Sequence, residues 1–234
     1  MQVYEYRSAQ RPSVQTHVFF IIDTFVEFLL SDLSPERSNK IITNHYCKPI
    51  TGGPFILFNI EQLTRPKILE EVYRRSLESD IHEVWDYSEI NVKLLRSRGI
   101  AAKLVTVQTT PQRITYLQSL MNTEKIYDIG FCGVVPERRM KILRELERRG
   151  LKVFFVSRTY GHERDQEMAK CKFHINIHQT DDHKIFESIR CDPWLKSGMR
   201  MISETSLEND ERCINASYEN LVDVATKMVR FNTL

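Results

Sequence analysis

Glu187 and Arg190 stand three residues apart at the end of the stretch FHINIHQTDDHKIFESIR, residues 173–190. On a helix that spacing puts a carboxylate and a guanidinium one turn apart. They can neutralise each other, or turn together into a pocket, Glu187 accepting from sugar or ribose hydroxyls and Arg190 facing phosphate. Just upstream, Phe173, Ile175 and Ile177 alternate with His174, Asn176 and His178, the pattern of a strand with one apolar face. The polar face has two readings. Its groups are satisfied inside the core, or the strand's C-terminal end, Asn176 and His178, opens onto a ligand. His174 and His178 also suggest a metal pair, but no third ligand stands at convincing spacing and no metal is expected. Asp181 or Asp182 is expected to cap the helix that follows.

Other chemistry-bearing residues also fall at the ends of expected strands. GFCGVVPERR (130–139) has Gly130 and Gly133 where the backbone turns, then Arg138 and Arg139 in the first turn of a helix. A bare turn before a helix N-terminus suits a phosphate, though Gly-x-x-Gly also serves as a plain tight turn. SRTYGHERD (157–165) offers Tyr160 and Arg164, which reads equally as a polar mouth or as a loop with a surface ion pair. Ser203 and Glu204 close another strand. In the first half, Glu61 and Gln62 follow FILFNI, and Asp86, Tyr87 and Ser88 follow HEVW.

These residues need elements to position them. Strand-like runs occupy 17–22, 55–60, 82–85, 102–107, 127–133, 152–156, 172–178 and 199–203, with a last short one near 212–214. Helix-like stretches lie between most of them. RPKILEEVYRRSLES (65–79) puts Ile68, Leu69, Val72 and Leu77 on one side. PERRMKILRELERRG (136–150) opens with a proline suited to a first turn and closes with a glycine suited to a C-cap. SYENLVDVATKMVRF (217–231) closes the chain. Strands alternating with helices predict parallel sheets covered on both faces, and ligands at the strands' C-terminal ends. The strand rhythm lapses over 109–126, which suggests two domains, 1–120 and 121–234.

The bulk numbers narrow the function classes. Of 234 residues, 41% are hydrophobic and 27% charged, and the formal net charge is +2. That suits a chain with a real core and lacks the clustered basic excess of a nucleic-acid binder. Five scattered cysteines without a C-x-x-C pair fit reduced thiols. The apolar run HVFFIIDTFVEFLL is broken by Asp23 and Glu27, so neither a signal peptide nor a membrane span is expected, and a cytoplasmic setting is. No first strand runs into Gly-x-Gly-x-x-Gly, which argues against a dinucleotide oxidoreductase.

Taken together, GFCGVVPERR, LKVFFVSRTYGHERD and HINIHQTDDHKIFESIRCDPWLKSGMRMISE look like the donor half of glycosyltransferases of the two-Rossmann-domain type, the GT-B fold. FILFNIEQLTRP, VWDYSEIN and RGIAAKLVTV are similar to the acceptor-side half of compact spore-maturation-like and giant-virus members. The resemblance runs from about Phe55 to the closing helix. It implies two Rossmann-like, doubly wound α/β domains facing across a cleft, the first one shortened. It also implies metal-independent transfer of a sugar from a nucleotide-sugar donor to a hydroxyl on a glycan, protein or small molecule. Carried over, it places Glu187 and Glu204 near the donor's sugar and ribose, and Gly133, Arg138 and Arg164 near its phosphates. Tyr160, Asn176, His178, Arg190 and Ser203 complete the donor site, while Gln62, Tyr87 and Ser88 face it from the acceptor side. Glu61, Asp86 and Glu187 are the expected catalytic carboxylates. The Glu-x7-Glu signature of many retaining members is not present, since Leu195 stands where the second acid would be. The alternative expectation is a nucleotide-binding module, derived from such an enzyme, that does not turn over.

Overall fold

The computed structural model describes residues 40–43, 54–105, 109–157, 159 and 161–231. The expected strand at 17–22 and Tyr160 lie outside them. The described chain is α/β, its strands parallel throughout, and it forms two compact units, the first through Val105 and the second from Thr109.

The first unit holds β1 (Lys40–Thr43), β2 (Phe55–Asn59), β3 (Ile81–Asp86) and β4 (Ala102–Leu104) in that spatial order. β2 reads FILFN and is buried along its whole length, as a parallel strand covered on both faces must be. Helices α1 (Pro66–Ser76) and α2 (Glu89–Arg96) join the strands. Leu69 and Val72 of α1 enter the core with Leu57, Val84, Val92 and Leu95. Leu77, expected on that stripe, lies past the last turn and is exposed, because the helix has already ended at Ser76.

The second unit has β5 (Tyr127–Cys132), β6 (Val153–Val156), β7 (Cys171–Asn176), β8 (Met201–Glu204) and β9 (Ile214–Ala216) in the order β6-β5-β7-β8-β9. Its helices are α3 (Pro111–Leu120), α4 (Glu137–Arg148), α5 (Gly161–Ala169), α6 (Ser188–Lys196) and α7 (Leu221–Phe231). The residues of α3 were expected at the end of the first domain, and they pack here, against α5 and α6. Strand alternation divides the core. Ile129, Phe131, Phe173, Ile175 and Ile202 meet Leu143 and Leu146 of α4 and Leu221 and Ala225 of α7. A separate cluster gathers Leu117 of α3, Met168 of α5 and Trp194 of α6 with Met201.

The polar face of β7 is therefore interior. His174 packs edge-on against Trp194 at 4.6 Å between ring centroids, and its Nε2 bonds the Met168 carbonyl at 2.9 Å. Burial pushes its pKa down to about 4, so the imidazole is neutral. Gly130 is interior too, rather than at the turn. A Cβ there would lie 2.5 Å from the Cys171 sulfur, so the close pairing of β5 with β7 needs a residue without a side chain. Among the described residues no helix is long and apolar enough to cross a membrane.

Candidate functional site

In a sheet ordered β6-β5-β7-β8-β9, the chain leaves β5 first toward β6 and later crosses to β7 on the other side. That reversal makes the C-terminal ends of β5 and β7 the switch point, where the two outgoing loops diverge and leave a crevice. Gly133 follows β5 with φ +142°, a conformation strained for any residue with a side chain. A Cβ there would also meet an Arg190 guanidinium nitrogen at 2.9 Å. The loop leads into α4, whose N-cap, Pro136, offers no side-chain acceptor to the first-turn amides.

Two arginines converge on this crevice. Arg139 is only 3% exposed. It donates to the carbonyls of Ile177 and Val134, each at 2.8 Å, and to Glu187 Oε1 at 2.9 Å. Arg190 donates to the Cys132 carbonyl at 3.1 Å and to Asn176 Oδ1, and pairs with Glu187 Oε2 at 3.0 Å. Both guanidiniums lie over the Phe131 ring, at 5.1 and 5.6 Å from its centroid. Glu187 is thus gripped on both oxygens, with its side chain 23% exposed. Burial works against its charge, but Arg190 and Arg139 outweigh that and hold the carboxyl below the usual carboxylate range. Arg139 has the opposite imbalance. Burial, and then the like charge of Arg190, lower its pKa to about 10. One carboxylate is shared by two cations, Arg139 buried and Arg190 half-buried, and a further anion would relieve them.

Glu187 was expected within the helix after TDDH, with Asp181 or Asp182 as the cap. Instead α6 begins at Ser188, and Glu187 itself is the residue before its first turn. Asp181 is drawn off by Arg138, whose Nε donates to it at 2.7 Å. Arg138 also forms a two-pronged pair with Glu204, at 2.6 and 2.8 Å, and lies 3.9 Å from the Tyr218 ring centroid. Glu204 accepts from the His178 amide at 2.8 Å, so it ties the strand end of β8 to the loop leaving β7. Ser203 is interior, bridging Asn176 to the Glu204 carbonyl. His178 is buried; its Nε2 meets Ser206 Oγ at 3.2 Å, and its Nδ1 has no partner among the described residues. Arg164 is buried one layer below, paired with Asp165.

Arg139 was missed as a site residue, yet its signal was in the helical period. It lies three, four and seven positions before Ile142, Leu143 and Leu146, so it shares their buried face. Arg138, the phosphate candidate, lies one position off that face.

The first unit has a different carboxylate at its strand ends. Asp86 is fully buried and accepts from Asn59 Nδ2 at 2.6 Å, the Ser88 amide at 2.8 Å and Asn91 Nδ2 at 3.0 Å. Asn91 also holds the Glu61 carbonyl at 2.8 Å and the Leu63 amide at 2.9 Å. Burial pushes Asp86 up to about 7, although every partner is a donor. Ser88 caps α2 through Asn91, and Gln62 is buried beside it in the loop after β2, while Tyr87 is half-buried. Glu61 remains 24% exposed and pairs with Arg65 at 3.4 Å. Among the described residues no three His, Cys, Asp or Glu side chains are grouped to hold a metal.

What fold and geometry define is a pair of parallel α/β units, the second with a cation-rich switch point. No family model matches the chain, and no solved structure matches it. It is similar to several proteins of Acanthamoeba polyphaga mimivirus. "Uncharacterized protein L137" is 37% identical over 154 residues, covering 65% of this chain and 20% of that protein. "Uncharacterized protein L138" is 30% identical over 249 residues, 94% of this chain and 26% of the relative. "Uncharacterized protein L140" is 30% identical over 199 residues, 83% of this chain and 57% of the relative. The chain thus spans less than two thirds of the length of these relatives.

Proposed function

We propose that the chain is a glycosyltransferase of GT-B type, its second unit binding a nucleotide sugar and its first facing the acceptor. One observation carries the reading. At the switch point of a parallel sheet, a glycine-backed crevice is lined by a buried and a half-buried guanidinium that share a single carboxylate. That is the charge balance a diphosphate would complete.

In this reading Arg139 and Arg190, with the free amides of the α4 N-terminus, hold the donor's diphosphate and stabilise it as it leaves. Arginines then supply the positive charge, and no metal is required. Glu187 keeps unused lone pairs on both oxygens and accepts from ribose or sugar hydroxyls beside the phosphates. Arg138 and Glu204 act as positioning residues that fix the loop after β7. The bond from the anomeric carbon to the diphosphate oxygen breaks, the acceptor oxygen bonds that carbon, and the acceptor's proton passes to a base. Glu61 is the candidate base, worth about 10²–10⁴-fold, because it keeps solvent access while Asp86 is enclosed and all of its oxygens are occupied.

The test is a thermal-shift screen with uridine, guanosine and adenosine diphosphates and their sugars, followed by assays for donor hydrolysis and transfer. Stabilisation by one diphosphate together with turnover supports the reading. Turnover unchanged in Glu187→Ala would remove that residue's role. The enclosure of Asp86 favours a second reading, a nucleotide-binding module without an acceptor-side acid, for which stabilisation without turnover is the expected result.

A further inference from the structure

Beneath the switch point, inside the second unit, lies a cavity of about 40 Å³. Among the groups lining it are Arg113 of α3, Arg164 of α5, Arg190 of α6 and Cys132 of β5. Asp165 lies behind them and divides its two oxygens, one 2.6 Å from Arg113 Nη1 and the other 3.0 Å from Arg164 Nη2. Two cations therefore share one carboxylate, and Arg190, which also lines the cavity, brings a further guanidinium that itself has only a share of Glu187. His174, which also lines the cavity, is neutral. Arg113 Nε is buried and has no acceptor among the described residues. One turn along α3, the Tyr116 hydroxyl is also buried without a partner among the described residues, and burial, then the charge of Asp165, raise its pKa. An unbalanced buried charge beside donors that lack acceptors is costly unless something supplies negative charge.

We propose that this cavity binds a small monovalent inorganic anion of halide size, held by Arg113 and Arg164. The volume sets the class. A single water needs on the order of 10–15 Å³ on this measure, so the space admits a halide ion or a few waters. The chemistry sets the sign, since the orphaned groups are donors and the cluster carries one cation more than it has anions. The bound ion would complete the shell around Arg113 and Arg164 and stiffen the packing of α3 and α5 under β5. This inference rests on different side chains from the nucleotide reading, Arg113 and Arg164 in place of Arg139 and Glu187, with Arg190 common to both.

The experiment uses the whole chain at fixed pH and ionic strength, with sodium gluconate exchanged stepwise for sodium chloride or bromide. A saturable rise in Tm with either halide is expected, and Arg164→Gln and Arg113→Gln should each abolish the halide-dependent part. Crystals grown in sodium bromide should show anomalous scattering inside the cavity, a measurement that needs no variant to fold. A Tm equal in gluconate and halide, or a cavity holding water alone in the bromide crystals, overturns the proposal. Nucleoside diphosphate titrations run in gluconate read the upper site separately.

Discussion

Asp86 closes β3, a central parallel strand of the first unit, and Glu187 stands at the N-cap of the helix reached from β7, a central strand of the second, and their surroundings have opposite character. Asp86 is sealed, and the partners around it are uncharged donors: two asparagine amides and backbone N–H groups. Glu187 is partly open, and its partners are two guanidiniums whose charge exceeds its own. The first arrangement is complete without a ligand; it braces the loops after β2 and β3. The second lacks one anion. A carboxylate at a strand end is therefore no sign of a site by itself; Asp86 is enclosed by uncharged donors that fill its oxygens, whereas Glu187 faces two cations and solvent.

The contrast predicts pH dependences of opposite sign. Asp86 is raised from 3.8 to about 7, so the folded first unit holds its proton longer than the unfolded chain does. Its contribution is fully present below about 4 and is lost as pH rises through 7, a cost of roughly 4 kcal/mol. Glu187 is lowered, so its contribution is present above 4.5 and is lost as pH falls. His174 acts with it in the second unit. Its pKa drops from 6.5 to about 4, so its contribution of about 3 kcal/mol is present above 6.5 and is lost as pH falls through 4. Hydrogen exchange, read peptide by peptide from pH 4 to 8, should show the first unit loosening toward alkali and the second toward acid. His174→Gln, which cannot take up a proton, should flatten the second profile. Parallel profiles in the two units would end the distinction.

Next in size is the brace itself. The Asn91 side chain makes three hydrogen bonds, two of them buried, to Asp86 and from the Leu63 amide, and one part-buried, to the Glu61 carbonyl. Asn91→Ala strands three polar partners and should destabilise the first unit by about 3 kcal/mol in urea unfolding. An effect below about 1 kcal/mol would mean that water replaces the amide and the enclosure is not sealed.

Much of this organisation was legible in the chain. Alternation of apolar runs with amphipathic stretches gave parallel α/β architecture, because a strand covered on both faces must be apolar throughout, as FILFN is. The site at the ends of β5 and β7 was legible for the same reason, through Gly133, Asn176, Glu187 and Arg190. What could not be read was which polar side chain turns inward. His174, Asn176 and His178 are all buried, so the strand end expected to open onto a ligand is interior; Asn176 reaches the crevice only through its bond from Arg190. The cap of α6 was misplaced because Asp181 has a stronger partner, Arg138, brought from 43 residues away. Asn59 and Asn91 carried no signal, since asparagine at a strand end or in a helix's first turn is ordinary until a buried carboxylate lies beside it.

The smallest expected effect sharpens the comparison most, because it separates neighbours in sequence. Arg138 and Arg139 both follow the Gly133 loop, yet Arg138 is fully committed to Glu204, Asp181 and the His178 carbonyl. Arg139 shares Glu187 with Arg190 and is the under-compensated charge. Arg139→Gln should therefore weaken binding of the stabilising nucleoside diphosphate by about 10–100-fold, the loss expected for a charge-assisted hydrogen bond or two. Arg138→Gln should lower the thermal stability of the second unit through Glu204 and change the Kd by less than about threefold. Calorimetric titration of both variants decides it. Equal losses of affinity would place the anion between the two arginines, and the distinction between bracing and binding charges at this strand end would fail.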